Sequence, residues 1–192
     1  MKKRMIKPLK WLSGLGACAF FVGCAGPAPN YSPSIDNVEL LKKSSIDTLK
    51  VGQIGVTPEM PGASAINLRA SSMVSPVGAH YGDYLAAALR QELELAKLQD
   101  PQSKVEVSGV LTKNNIDAGG ISTNEGQIEA RFMVKRSNQV TYDKVKKTEM
   151  KWESSFAGAV AIPRAANNYP LMVQNLLSSL FIDPDFIRAV KK

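Results

Sequence analysis

Cysteine and histidine are almost missing from this 192-residue chain, which holds two of the first and one of the second. Two cysteines cannot build a disulfide framework or a thiolate zinc cluster, and one histidine leaves a zinc site to carboxylates almost alone. No Gly-x-Ser-x-Gly elbow, phosphate-binding loop or calcium-loop spacing occurs, so the common hydrolase, nucleotide and calcium signatures are absent. Long hydrophobic runs are missing too. The longest uncharged apolar stretch, Trp11 to Gly23, falls well short of the roughly 20 residues that a spanning helix needs.

What is present begins with asymmetry. Lys2, Lys3, Arg4, Lys7 and Lys10 precede that stretch, no acid lies before Cys24, and "AGPAPN" follows it. A basic start, a short apolar core and small residues at a cleavage point define a secretory signal, expected over residues 1–23. Phe21-Val22-Gly23-Cys24 resembles a bacterial lipobox, which implies that Cys24 becomes the lipidated first residue after cleavage. Leu15-Gly16-Ala17-Cys18 also fits the pattern, so Cys18 stays open as the alternative, although it would leave an apolar core of only about seven residues. Two or more acyl chains anchor a protein stably without spanning the bilayer. By resemblance to enterobacterial sorting, Ala25 after the cysteine implies the outer membrane, with the domain in the periplasm.

Removing the signal changes the charge. It carries five of the 24 basic residues and none of the 17 acids, so +7 becomes 19 against 17, or +2. So small a charge gives no field suited to phosphate backbones, and nucleic acid is excluded as a partner. With Cys18 removed and Cys24 acylated, no free thiol remains. The rest is long enough for one domain with an ordinary core.

Pro27, Pro29 and Pro33 mark residues 24–47 as a Pro-rich tether, with an ordered edge of the domain as the alternative. A single α+β domain is expected over 48–192. "TLKVGQIGV" reads as a strand. Residues 57–80 form a long Pro-, Gly- and Ser-rich connection holding one short strand, "INLRA". Tyr81 to Leu98 is the clearest helix, with Leu85, Ala88, Leu89, Glu92, Leu93 and Ala96 on one face and Glu92 its only polar break. Three alternating strands follow, "KVEVSGVL", "GQIEARFMVKR" and "VTYDKVKKTEMKWES", with a tight turn at Ser137-Asn138-Gln139 and a bulge between Tyr142 and Val145. A second helix is expected from an N-cap at Asn167 or Asn168, burying Leu171, Val173, Leu176, Leu177, Leu180 and Phe181. A short helix restarts at Asp183-Pro184. The expected fold is therefore α+β, a twisted antiparallel sheet of four to five strands with two helices on one face.

Candidate chemistry is sparse. His80 and Asp83 can meet on a first helical turn, with Ser75 upstream as a nucleophile; the plainer account is a helix start whose acid favours the dipole. Asp117 to Gly120 reads as a hairpin loop. "WESSFAGAVAIPRAANNYP" is the most unusual segment. Trp152, Phe156, Val160 and Ile162 form the candidate interaction segment, either a loop inserting into a partner or membrane, or a buried turn under the second helix.

The signal ending at Cys24, the tether, the helix "DYLAAALRQELELAKL", the paired long strands and the last helix before "DFIRAV" resemble, in order, the YajG-like outer-membrane lipoproteins. The architecture is also similar to LptE-type and ABC-transport auxiliary lipoproteins. The resemblance implies a non-enzymatic module with no cofactor and no catalytic residues, attached by acyl chains and working with another envelope protein. Lipid or small-molecule binding is the alternative, and an enzyme centred on His80 and Asp83 the third.

Overall fold

The structure, a computed structural model, describes residues 25–191. Its main sheet has four strands in the order β2-β5-β6-β7: β2 (Lys50–Val56), β5 (Val105–Asp117), β6 (Thr123–Arg136) and β7 (Gln139–Glu153). A smaller sheet has three, β1 (Ala25–Pro27), β4 (Ser71–Val74) and β3 (Ala65–Leu68). The helices are α1 (Ile35–Lys43), α2 (Tyr81–Leu95), α3 (Gly158–Phe181) and α4 (Pro184–Val190). This is the expected α+β class with a twisted sheet, though both sheets are mixed: β2 runs parallel to β5, and β1 parallel to β4. The β2–β5 connection includes the β3–β4 hairpin and α2, the kind of crossover that parallel neighbours need.

Alternation decides the core. Val105, Val107 and Leu111 of β5 and Ile128, Ala130, Phe132 and Val134 of β6 are buried, each at most 1% exposed. The other face is at least partly open to solvent and mixes Ser108, Val110 and Met133 with charged residues, as in the Arg131–Asp143 ion pair at 2.6 Å. α2 lies over β2 and β5, α3 over β7 and β6. Gly82 lets α2 approach, since a Cβ there would stand 2.3 Å from the carbonyl oxygen of Ile54. Ser137 and Asn138 both have positive φ (47° and 71°), the mirror-image two-residue turn that matches strand twist.

Four expectations need correction. The 24–47 segment does not act as a tether where it is described: Ala28, Tyr31, Val38 and Leu41 are buried, and α1 packs on α2 and α3. Its prolines stiffen the chain without preventing Tyr31 and α1 from burying apolar surface. The β7 bulge lies at Thr141, between the Lys135–Val140 and Val134–Tyr142 pairs, so Tyr142 points inward and Val140 and Val145 outward. α3 begins inside the supposed loop, at Gly158, and Asn167 and Asn168 lie inside the helix rather than at its cap. Pro163 and Pro170 each remove a helical hydrogen bond, and burial of Ala161, Ala165, Tyr169, Met172 and Val173 compensates. Leu171 of the expected stripe is exposed, and Met172 takes its place.

Candidate functional site

One end of the main sheet gathers three connections. The β5–β6 loop (118–122) and the β7–α3 loop (154–157) meet there, because Asp117 pairs with Glu125 and Thr123 with Glu153. The β3–β4 turn at Arg69 and Ala70 reaches the same place. Arg69 adopts φ 58° and projects its guanidinium between the two loops. Its Nε donates to the carbonyl of Ala118 at 2.6 Å, and Nη2 to those of Gly120 at 2.9 Å and Ser155 at 2.8 Å. Nη1 donates to the carbonyl of Phe156 at 3.0 Å, while Ser154 Oγ lies 3.4 Å from Nη2. A direct backbone bond, Ser154 N–H to Ser122 O at 2.8 Å, ties the loops together. Gly120 permits the tight turn: a Cβ there would fall 1.8 Å from the carbonyl oxygen of Thr123. A guanidinium has five donors in a fixed fork and no acceptor, which suits it to a ring of carbonyls.

The backbone is thus pinned while the side chains point away. Phe156 is 86% exposed, Ile121 66% and Val160 45%, and Phe156 is the only aromatic among the exposed large hydrophobic residues described. The candidate interaction segment divides here. Trp152 and Ile162 are half-buried and pack against the core, whereas Phe156 and Val160 face solvent. The segment is therefore neither wholly an exposed loop nor wholly a buried turn. Ile162 also borders a shallow groove of about 230 Å³ between the small sheet and α3, lined by Gly26, Pro27, Leu68, Met73 and Ala166. Sequence reasoning missed Arg69 and Ile121. A single apolar residue following two glycines was the signal for Ile121; nothing local marks Arg69, whose partners are 49 to 87 residues away.

The small sheet brings the start of the described chain to this end. Ala25 pairs with Ser72, next to the β3–β4 turn, and Ala28 N–H donates to Val74 O at 2.8 Å. Cys24, the expected lipidation site, lies outside the described residues, as do Cys18 and the whole expected signal.

His80 and Asp83 do come together, as a helix cap. His80 Nδ1 accepts from the backbone N–H of Asp83 at 3.3 Å, while Asp83 Oδ2 accepts from those of Ala79 at 2.9 Å and His80 at 3.2 Å. These bonds form a capping box that ties down backbone donors at the start of α2. Ser75 is engaged elsewhere, its Oγ donating to Val77 O at 2.6 Å. Among the described residues, no group of three or more His, Cys, Asp or Glu side chains could hold a metal ion. No described helix is long and apolar enough to cross a membrane.

No protein-family model matches this sequence, and no curated protein matches it at a significant level. Solved structures do. A crystal structure of a Xanthomonas campestris protein, described as family-model DUF330, aligns over 83% of this chain and 95% of its own, at 12% identity and a TM-score of 0.52. A structure described as that of an uncharacterised protein aligns over 80% and 95%, at 12% identity and a TM-score of 0.46. The overall α+β fold is therefore shared with a DUF330 protein of known structure.

Proposed function

We propose that this chain is a lipid-anchored module of the bacterial outer membrane that binds or scaffolds other envelope components without catalysing a reaction. The observation that carries the proposal is the junction at Cys24. A basic and apolar leader ends in a lipobox-like cysteine, and the next residue, Ala25, already belongs to the folded domain. Such a chain is held on a membrane by its N-terminus, with a well-packed periplasmic domain to offer a partner. The shared fold with a DUF330 protein is compatible with this role. His80 and Asp83 support it by serving α2, and substituting His80 with Ala leaves function intact.

Cys24→Ala tests the anchor. It abolishes metabolic acyl labelling and moves the protein from the membrane to the soluble fraction; labelling that persists and depends on Cys18 overturns the assignment. Crosslinking in intact cells, followed by purification through a C-terminal tag, then identifies the envelope partner. The groove beside Ile162 favours a second reading, a lipid or small-molecule binding domain, and co-purified lipid in place of protein would establish it.

A further inference from the structure

We propose that the sheet end bearing Ile121, Phe156 and Val160 is a membrane-docking face, which sets these side chains among the lipid headgroups beside the acylated cysteine. The inference rests on the anchor reading of Cys24 and adds an orientation to it.

Position is the first argument. Consecutive Cα atoms are about 3.8 Å apart, and Ala25 is fixed opposite Ser72, next to the Arg69 turn. Acyl chains on Cys24 therefore pull this end of the fold against the bilayer, with no slack to lift it away. The sheet end that meets the lipid is the one carrying the most exposed aromatic and the exposed isoleucine of the β5–β6 loop.

Rigidity is the second. Ile121 and Phe156 sit on loops whose carbonyls are held by one guanidinium, so their outward aim belongs to the folded backbone. A preset surface loses little conformational freedom on docking. The other large exposed apolar residues, such as Ile35 at the start of α1, Leu95 at the end of α2 and Ile182 after α3, lie on separate elements, and individual exposed apolar residues are ordinary on a protein surface.

Charge is the third. Three cations near this end, Arg69, Lys151 and Arg164, are matched in number by three carboxylates, Asp117, Glu125 and Glu153. Arg164 lies 3.4 Å from Glu153, Lys151 lies 3.1 Å from Glu125, and Asp117 accepts from the N–H of Gly119 at 2.9 Å. The face offers lipid an apolar contact rather than an excess of cations. The Ser137-Asn138 turn then stands off the bilayer by roughly the length of a 13-residue strand, about 40 Å, free for a partner.

The test uses the full chain, purified from membranes with its acyl chains and reconstituted in vesicles of phosphatidylethanolamine and phosphatidylglycerol. With Cys18 removed and Cys24 acylated, an introduced cysteine is the sole free thiol. An environment-sensitive fluorophore is placed by I121C, F156C or, as a control on the outer sheet face, V145C. All three positions are exposed, so the core is untouched. The 121 and 156 probes shift to the blue and are quenched at least about twofold by lipids carrying a nitroxide near the headgroup, while the 145 probe is not. Probes at 121 and 156 as unquenched as that at 145, in protein whose Cys24 is acylated by mass spectrometry, overturn the docking face alone; a second copy or a protein covering this end gives the same result. Protein without acyl chains on Cys24 overturns the anchor and the docking face together.

Discussion

The phenol of Tyr31 donates a 2.5 Å hydrogen bond to Glu92 Oε1, joining the N-terminal segment to the middle of α2 across 61 positions of sequence. Glu92 is fully buried, and the same oxygen accepts from the backbone N–H of Ser34 at 2.9 Å and from Asn37 Nδ2 at 3.2 Å. Asn37 Nδ2 also donates to Gln174 O at 3.0 Å, which extends the contact to α3. The polar break in the stripe of α2 is therefore the point where the first stretch of the domain is attached.

That attachment has a measurable worth. Glu92→Leu leaves the Tyr31 hydroxyl and the Ser34 N–H without an acceptor, while Asn37 Nδ2 keeps only Gln174 O, and should cost about 2–4 kcal/mol in urea unfolding. Glu92→Gln keeps an acceptor oxygen in place and should cost less. Tyr31→Phe, which loses one bond, falls at about 1–2 kcal/mol. Equal stability of the Leu and Gln variants would mean that the donors find other partners and that the attachment is dispensable.

The tyrosines forecast how the fold fails in alkali. All five, Tyr31, Tyr81, Tyr84, Tyr142 and Tyr169, have phenols pushed above their ordinary value of 10.0, in each case chiefly by burial. Hydrogen bonds to Glu92 and Asp183 push Tyr31 and Tyr142 further. A raised folded-state value means that the native chain keeps protons the unfolded chain releases. Stability is thus intact below pH 10 and declines above it, by up to about 1.4 kcal/mol per pH unit for each phenol. Tyrosinate absorbance should accordingly rise together with loss of far-ultraviolet dichroism, in one cooperative step. A gradual rise ahead of unfolding would show phenols open to solvent. Tyr84→Phe, whose hydroxyl donates to Pro29 O at 2.9 Å, should make the alkaline decline shallower.

Local pattern and distant pairing differ in how much they expose in a sequence. α2, β5, β6, the Ser137-Asn138 turn and α4 were legible because periodicity, capping and turn chemistry act within a few residues. The parallel pairing of β2 with β5 was not, since a strand's alternation is the same whichever neighbour it takes. β1 is only three residues, Ala-Gly-Pro, and shows no alternation at all. The first turns of α3 carry Gly158 and Pro163, which locally argue for a loop; tertiary burial of Ala161 and Ala165 decided otherwise. At the candidate site the exposed apolar residues of "SSFAGAV" were visible as an oddity. Their common end with Ile121 and Ala25 emerges only from the register of two sheets.

Arg69 should be the residue on which that end depends. Its guanidinium reaches four carbonyls in two loops, and no other side chain type can reproduce that fork. Arg69→Lys keeps the charge but can direct its ammonium to only part of the ring, and should lose about 1–3 kcal/mol, near the range for hydrogen bonds from charged groups. The local effect is the sharper measurement. Amide exchange at Ser154, whose N–H bonds to Ser122 O, and at Gly119 should quicken in the variant, while amides of β5 and β6 near Val107 and Val134 stay protected. If exchange in the two loops is unchanged, their mutual backbone bond suffices and Arg69 merely occupies the space between them. If it quickens as expected, the outward aim of Ile121 and Phe156 is a property that one cation imposes on two loops distant in sequence.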